Sequence, residues 1–401
     1  MRLVLIGVGF FPWIVAGDKN FFTRLIPLLA SRCESIDVFS VNDREGSENV
    51  VINSCPVTYH SAPRPLHLGN RGRFFAGSGI LMDYQHKHSP PQEIAELLLT
   101  TMLWLPRLRR LVRERKIDVV HFMDNMGPSM PLIKRTLNDV MVTHSAMAYA
   151  PRGHFYDKYL RFCMSKLDKI IPYSQAYASK LLQLGISAQK IEVIRWGVQI
   201  SKDELSKEKK AIIRKEYGVP PNGRLILWTG FIQQIQEADF LAAVEVAKKV
   251  VAVRPNCRFI FAFKPRSFRP EYKHLECEGI LIETNIEHFS ELLETADYLY
   301  SPLLRTDVIV APPLTWLEAM SKGTPVISTA AGGVDEVVIH GKTGFVAQSF
   351  ENLPETLIRA ADFDDLQGMS NACRNFTAKK CDINDVAERY LRMWESGKGI
   401  S

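Results

Sequence analysis

The chain has 401 residues, 46% of them hydrophobic and 23% charged, with a formal net charge of +6. That length suits two domains of about 200 residues each, and the composition excludes a disordered chain, a coiled coil and a collagen-like fibre. No apolar run approaches the roughly 18–20 residues that a membrane-spanning helix requires.

The apolar start, Met1 to Gly7, is followed by no small-residue cleavage site and is expected to be a buried first strand, not a secretion signal. Seven dispersed cysteines without CxxC pairs argue against a disulfide framework or a structural zinc site, and favour a reducing, cytoplasmic setting. Charge is uneven. Residues 1–200 carry 25 Lys and Arg against 16 Asp and Glu, a balance of +9, and the remainder sums to −3. A basic first half points to an anionic partner there.

Short β-rich apolar runs alternate with helix-period segments throughout. Strands are expected at 2–8, 36–41, 118–123, 139–144, 169–173 and 191–196, then at 224–230, 257–263, 279–283, 297–300 and 324–328. Helices are expected at 239–253, 289–295 and 313–322. Strands that are apolar throughout, separated by amphipathic helices, predict parallel sheets covered on both faces. Two such series in tandem predict an α/β chain with two doubly wound domains. The charged stretch 201–215 and the Pro220, Pro221, Asn222, Gly223 punctuation place a linker near 198–223. The amphipathic segment 382–395 is expected to pack back across it. Open parallel sheets bind ligands outside the carboxyl ends of their strands, so function is sought in the loops there.

Gly7 and Gly9 after the first strand lack the third glycine of a dinucleotide fingerprint. His144, with Ser145 beside it, ends an apolar strand, where an imidazole can meet a sugar hydroxyl or a developing charge. His121 sits similarly, and each of the two alone is more often a satisfied loop histidine than a catalytic one. No cluster has metal-ligand spacing, and no nucleophile elbow or P-loop is present. The most informative stretch runs from Pro312 and Pro313 through Leu314, Thr315 and Glu318 to Gly323 and Pro325. It predicts a helix whose first amides point toward an anion, with a carboxylate one turn on. A diphosphate and a ribose diol together would satisfy both. Gly332, Gly333 and Glu336, then Gly341 and Gly344, add a glycine turn, a short helix and a second turn.

This block resembles the donor-nucleotide site of retaining GT-B glycosyltransferases of family 4, whose pattern is E-x7-E-A-M-A-x-G-x-P-V-I followed by G-G-x-x-E-V-V and G-x-x-G. The likeness extends to Leu181, Leu182 and Gly185, to Gly197 and Val198, and to Trp228, Thr229 and Gly230. It implies a GT-B fold, two Rossmann-like domains facing across a cleft: 1–198 binding the acceptor, 199–381 binding the nucleotide-sugar, and 382–401 a returning helix. It implies a cytoplasmic, metal-independent transferase that needs no cofactor beyond its nucleotide-sugar substrate and acts on a glycan, lipid-linked or small-molecule acceptor. By the same resemblance Glu318 holds the ribose, the amides of Leu314 and Thr315 receive the diphosphate, and His144 touches the donor sugar. Gly17 and Gly230 lie in the glycine turns after the two first strands, and the base packs near Glu283, Thr284 and Asn285.

Five positions depart from the pattern, two of them Trp196 and Gln199 in place of a usual asparagine and aspartate. Val310 stands where the family has its first glutamate, and Phe231 and Gln236 replace an arginine and a lysine that face the diphosphate. Lys264 and Arg266 could supply replacement charge. The departures keep two rivals open, a non-catalytic GT-B scaffold and a sugar-nucleotide epimerase.

Residues 99–116 mix Leu, Met and Trp104 with six basic side chains, the profile of an interfacial membrane helix or of a packing helix with a solvated basic face. The first reading makes an anionic membrane surface a partner and places the protein peripherally at the inner face. Pro106 is expected to kink or restart the helix. Arg64, Arg71 and Arg73 with Phe74 and Phe75 form a second basic-aromatic patch. No nucleic-acid module accompanies this charge, and no nucleic-acid partner is expected.

Overall fold

The computed structural model describes residues 1–8, 17–42, 46–63, 90–123, 127, 129–146, 154–201, 203–230, 237–263, 268–304 and 311–397. The chain divides into two compact units, Met1–Gly197 with Ile383–Ser401, and Val198–Asp382.

The first unit contains β1 (Arg2–Val8), α1 (Gly17–Ala30), β2 (Ser35–Asn42), β3 (Gly46–Ile52), β4 (Cys55–Pro63) and α2 (Pro90–Arg115). It continues with β5 (Val119–Phe122), α3 (Ser129–Thr136), β6 (Met141–Ala146), α4 (His154–Ser165), β7 (Lys169–Pro172) and α5 (Gln175–Gln183). Its sheet has the order β3-β4-β2-β1-β5-β6-β7, parallel throughout except for β3, which pairs antiparallel with β4. The β3–β4 hairpin was not expected from the sequence, because β3 is exposed at most positions and its apolar run is only Val50 to Ile52. The expected strand at 191–196 is only a bridge from Ile191 to Ile170. Beyond it Ile194 donates to the Pro172 carbonyl, and Trp196 then stacks on Tyr173 with ring centroids 3.7 Å apart.

Helix α2 runs unbroken through Pro106. The missing N–H leaves a carbonyl unpaired on the exposed side, where water can satisfy it, so the helix continues. Trp104, Leu108 and Val112 are buried, and the Trp104 ring lies 5.3 Å from that of Phe39. Trp104 therefore belongs to the core and is not an interfacial anchor. At the end of α2, Arg115 donates to the buried Asp37 carboxylate at 2.7 Å, and His60 Nε2 meets the same oxygen at 2.7 Å.

The second unit contains α6 (Lys207–Glu216), β8 (Arg224–Gly230), α7 (Glu237–Val253), β9 (Cys257–Phe263), β10 (Ile280–Thr284), α8 (Phe289–Thr295) and β11 (Tyr298–Ser301). It ends with α9 (Leu314–Ser321), β12 (Val326–Thr329), β13 (Gly344–Ala347), α10 (Leu353–Ala361) and α11 (Leu366–Lys380). The sheet order is β10-β9-β8-β11-β12-β13, all parallel. The stretch expected to be a linker holds α6, whose Lys209 and Arg214 pair with Glu291 and Asp297. Its charges are ion-pair partners inside the unit, which is why composition alone misread it.

The last helix, α12 (Ile383–Gly397), belongs to the first unit. Its Tyr390 and Trp394 are fully buried against His121. Trp394 Nε1 donates to Thr143 at 3.1 Å, and the Tyr390 hydroxyl bonds Ser145 at 2.8 Å. Removing a buried Trp of this kind costs about 3–5 kcal/mol. Trp394→Ala is expected to lower the unfolding free energy of the first unit by that amount, read as a lower urea midpoint, while the second unit's transition stays in place.

Candidate functional site

In the second unit, β8 has β9 on one side and β11 on the other, so strand order reverses between β8 and β11. A crevice opens at the carboxyl ends of strands at such a reversal. Gly230 ends β8 there, and a Cβ on it would lie 2.5 Å from the Trp228 ring, so only glycine fits. The segment after β11 is tied down by the ends of β12. The Thr329 hydroxyl accepts from the Leu303 N–H at 3.0 Å and donates to the Leu303 carbonyl at 2.7 Å, and Ser328 donates to the Ser301 carbonyl at 2.8 Å.

That segment leads to α9. Pro313 caps the helix in extended conformation, and the N–H groups of Leu314 and Thr315 have no intrahelical acceptor. Glu318 lies half-buried one turn further on, in the second turn of the helix. Trp316 is buried, and its Nε1 has no hydrogen-bond partner among the described residues. The other end of α9 is fixed by Gly323, at φ +84°, where a Cβ would lie 2.7 Å from Arg374 Nε. Beside it the buried Glu294 carboxylate faces Lys210 and Arg374 at 3.6 Å and Lys322 at 3.9 Å. Three cations around one carboxylate hold α6, α9 and α11 to α8.

The structure thus brings Gly230, Leu314, Thr315 and Glu318 to one strand-order reversal. Glu283 and Asn285 lie at the same end of the sheet, on the edge strand β10 and just beyond it. Lys273 pairs with Glu283 at 3.4 Å, and Asn285 is exposed in left-handed conformation at φ +56°. Lys264, Arg266 and Val310 lie outside the described residues, as do Phe231, Gln236 and the Arg64–Phe75 patch. Among the described residues no His, Cys, Asp or Glu group could hold a metal ion, and no helix is long and apolar enough to cross a membrane.

Gly17 and His144 belong to the first unit. Gly17 opens α1. His144 lies within β6 and is fully buried. Its register partner is Phe122 on β5, whose carbonyl lies 3.3 Å from His144 Nδ1. A carbonyl can only accept, so Nδ1 carries the proton and Nε2 presents a lone pair. Nε2 is buried with no partner among the described residues. Burial pushes the pKa down to about 4, so the ring is neutral at pH 7 and accepts a hydrogen bond. His121, inside the expected strand 118–123, is fully buried there and is no loop histidine; its Nδ1 and Nε2 contact Thr143 at 2.8 Å and Ser145 at 3.0 Å. Sequence reasoning missed this polar cluster, since α12 completes it from 250 residues away.

A family model for Glycosyltransferase Family 4 matches residues 20–202, and one for Glycosyl transferases group 1 matches residues 223–362. Together they span most of the chain, which belongs to the GT-B glycosyltransferases of family 4. A D-inositol 3-phosphate glycosyltransferase of Mycolicibacterium gilvum is 22% identical over 47% of this chain, and the match spans only 42% of that protein. The phosphatidylinositol N-acetylglucosaminyltransferase gpi3 subunit of Schizosaccharomyces pombe is 23% identical over 73% of this chain and 64% of its own. Anabaena Alr3699/HepE, solved in complex with UDP-glucose, superposes with a TM-score of 0.66 at 15% identity, covering 99% of this chain and 100% of the other.

His144 and His121 are both held neutral by burial, His121 also by its neighbour His144. The unfolded chain takes up these protons near pH 6.5, and folded His144 takes its proton only near pH 4. Stability is therefore expected to fall as pH drops through that window, where the unfolded state binds more protons. Urea midpoints measured from pH 7 to pH 4 should show the decline, and the His144→Gln protein should show a shallower one.

Proposed function

We propose that the chain is a retaining, metal-independent glycosyltransferase that moves a sugar from a nucleotide-sugar donor to a glycan, lipid-linked or small-molecule acceptor. The second unit takes the donor and the first receives the acceptor. The observation that carries this reading is the α9 N-terminus, placed at the strand-order reversal with Glu318 one turn along. A helix N-terminus attracts the diphosphate, and a carboxylate one turn away accepts both hydroxyls of a ribose diol.

In the reaction the bond from the anomeric carbon to the diphosphate oxygen breaks, and a bond to the acceptor oxygen forms on the same face. The acceptor's proton passes to the departing phosphate oxygen, which needs no side-chain base. The amides of Leu314 and Thr315 stabilise the charge that develops on the diphosphate. Lys264 and Arg266 are assigned to the same charge in place of the cations lost at Phe231 and Gln236. His144 Nε2 accepts a hydrogen bond from a hydroxyl of the donor sugar, which orients the ring without protonating it. Gly17 lets the backbone approach the phosphate and the acceptor, and Glu283, Thr284 and Asn285 flank the base. The retaining outcome is proposed from the sequence's resemblance to the retaining family, and the donor class is supported by the UDP-glucose complex of the Anabaena protein.

The departures at Val310, Phe231 and Gln236 favour a second reading, a nucleotide-binding subunit without turnover. Thermal-shift titration with UDP, GDP, ADP and their sugar conjugates tests the site. One nucleotide is expected to stabilise the protein, and Glu318→Ala is expected to weaken it about 10–100-fold, the worth of hydrogen bonds to a charged group. No stabilisation by any nucleotide would overturn the donor site. Release of free nucleotide with acceptor present, unchanged by EDTA, is expected for the transferase, whereas binding without release would establish the second reading.

A further inference from the structure

The outward face of α2 has two parts. Leu99, Met102 and Leu103 are 44%, 61% and 60% exposed, and the exposed Pro106 follows them. One turn further on, Arg109, Arg110 and Arg113 are exposed and, with Pro106 and Glu114, line a shallow groove of about 430 Å³. No carboxylate within 4 Å of these three arginines is found among the described residues. The opposite face anchors the helix: Trp104, Leu108 and Val112 are buried, Thr101 bonds Ser129, and Arg115 reaches Asp37. A helix fixed this firmly on one side displays the other as a constant surface.

We infer that this face of α2 docks on an anionic lipid bilayer. Three large apolar side chains in two turns cost free energy in water, and three adjacent guanidiniums seek phosphate. A bilayer satisfies both at once, because the apolar group enters the acyl boundary while the arginines meet headgroup phosphates a few ångströms higher. Nucleic acid would answer the arginines and leave Leu99, Met102 and Leu103 in water. A two-fold contact with a second copy would bring six arginines together at one interface. The first half's surplus of positive charge adds long-range attraction to the same surface. The inference deepens the transferase reading by naming where the acceptor is met, at a membrane surface.

The test is co-sedimentation of the full chain with vesicles of phosphatidylcholine alone and of phosphatidylcholine mixed with phosphatidylglycerol. Binding is expected only with the anionic mixture. Replacing the arginines together (Arg109→Glu, Arg110→Glu, Arg113→Glu) is expected to weaken it by about 100-fold or more, at roughly fivefold per basic residue. Replacing the apolar group (Leu99→Ser, Met102→Ser, Leu103→Ser) is expected to leave weak binding that salt abolishes. No sedimentation with anionic vesicles, or wild-type affinity in either variant, overturns the inference. So does displacement by millimolar inorganic phosphate, which would mark an isolated anion site, or a dimer in light scattering that the arginine variant dissolves. Both variants should keep the nucleotide-induced thermal shift, so a failure here and a failure of the donor site are told apart.

Discussion

A strand whose two faces are both apolar has to be covered on both sides, and in a parallel sheet only crossover helices can do it. The second unit meets this requirement with β8 in the middle: the chain leaves it to one side for β9 and β10, then returns to the other side for β11 to β13. The reversal leaves no crossover directly above β8 and β11, and α9 is the helix that follows β11. No side chain caps the first turn of α9, so its leading N–H groups stay open, and the Glu294 cluster holds its far end. The candidate anion site is thus a by-product of covering a sheet, sharpened by a few residues.

Each unit spends one buried carboxylate on holding helices in place. Asp37 on β2 collects Arg115 from α2 and His60 from β4. Glu294 on α8 collects cations from α6, from the end of α9 and from α11. In both cases a single acidic group fixes elements distant in sequence, and losing it would leave several cations facing one another.

Much of this was legible in the sequence, for physical reasons. The strands β1, β8 and β9 were read with their true ends because a strand buried on both faces is an uninterrupted apolar run. The α9 helix was legible because its start, its carboxylate and Gly323 are all local signals. What could not be read depends on pairing. The β3 strand borrows its order from β4 and has little hydrophobic signal of its own. The polar character of α6 resembles a linker until its acidic partners on α8 and before β11 are known. The histidines show the same limit within the site. That His144 is an acceptor follows from the Phe122 carbonyl opposite it, and which carbonyl lies opposite is a matter of register, not of spacing.

The return of α12 to the first unit makes the second unit an insertion within the first. A ribosome delivers the chain from the N-terminus, so His121, Thr143 and Ser145 emerge some 250 residues before Tyr390 and Trp394. Until that last helix arrives, the β5–β6 face is uncovered and its polar groups lack their final partners. The second unit has by then emerged whole, so it can fold first. The unit that is begun first is the last to be finished.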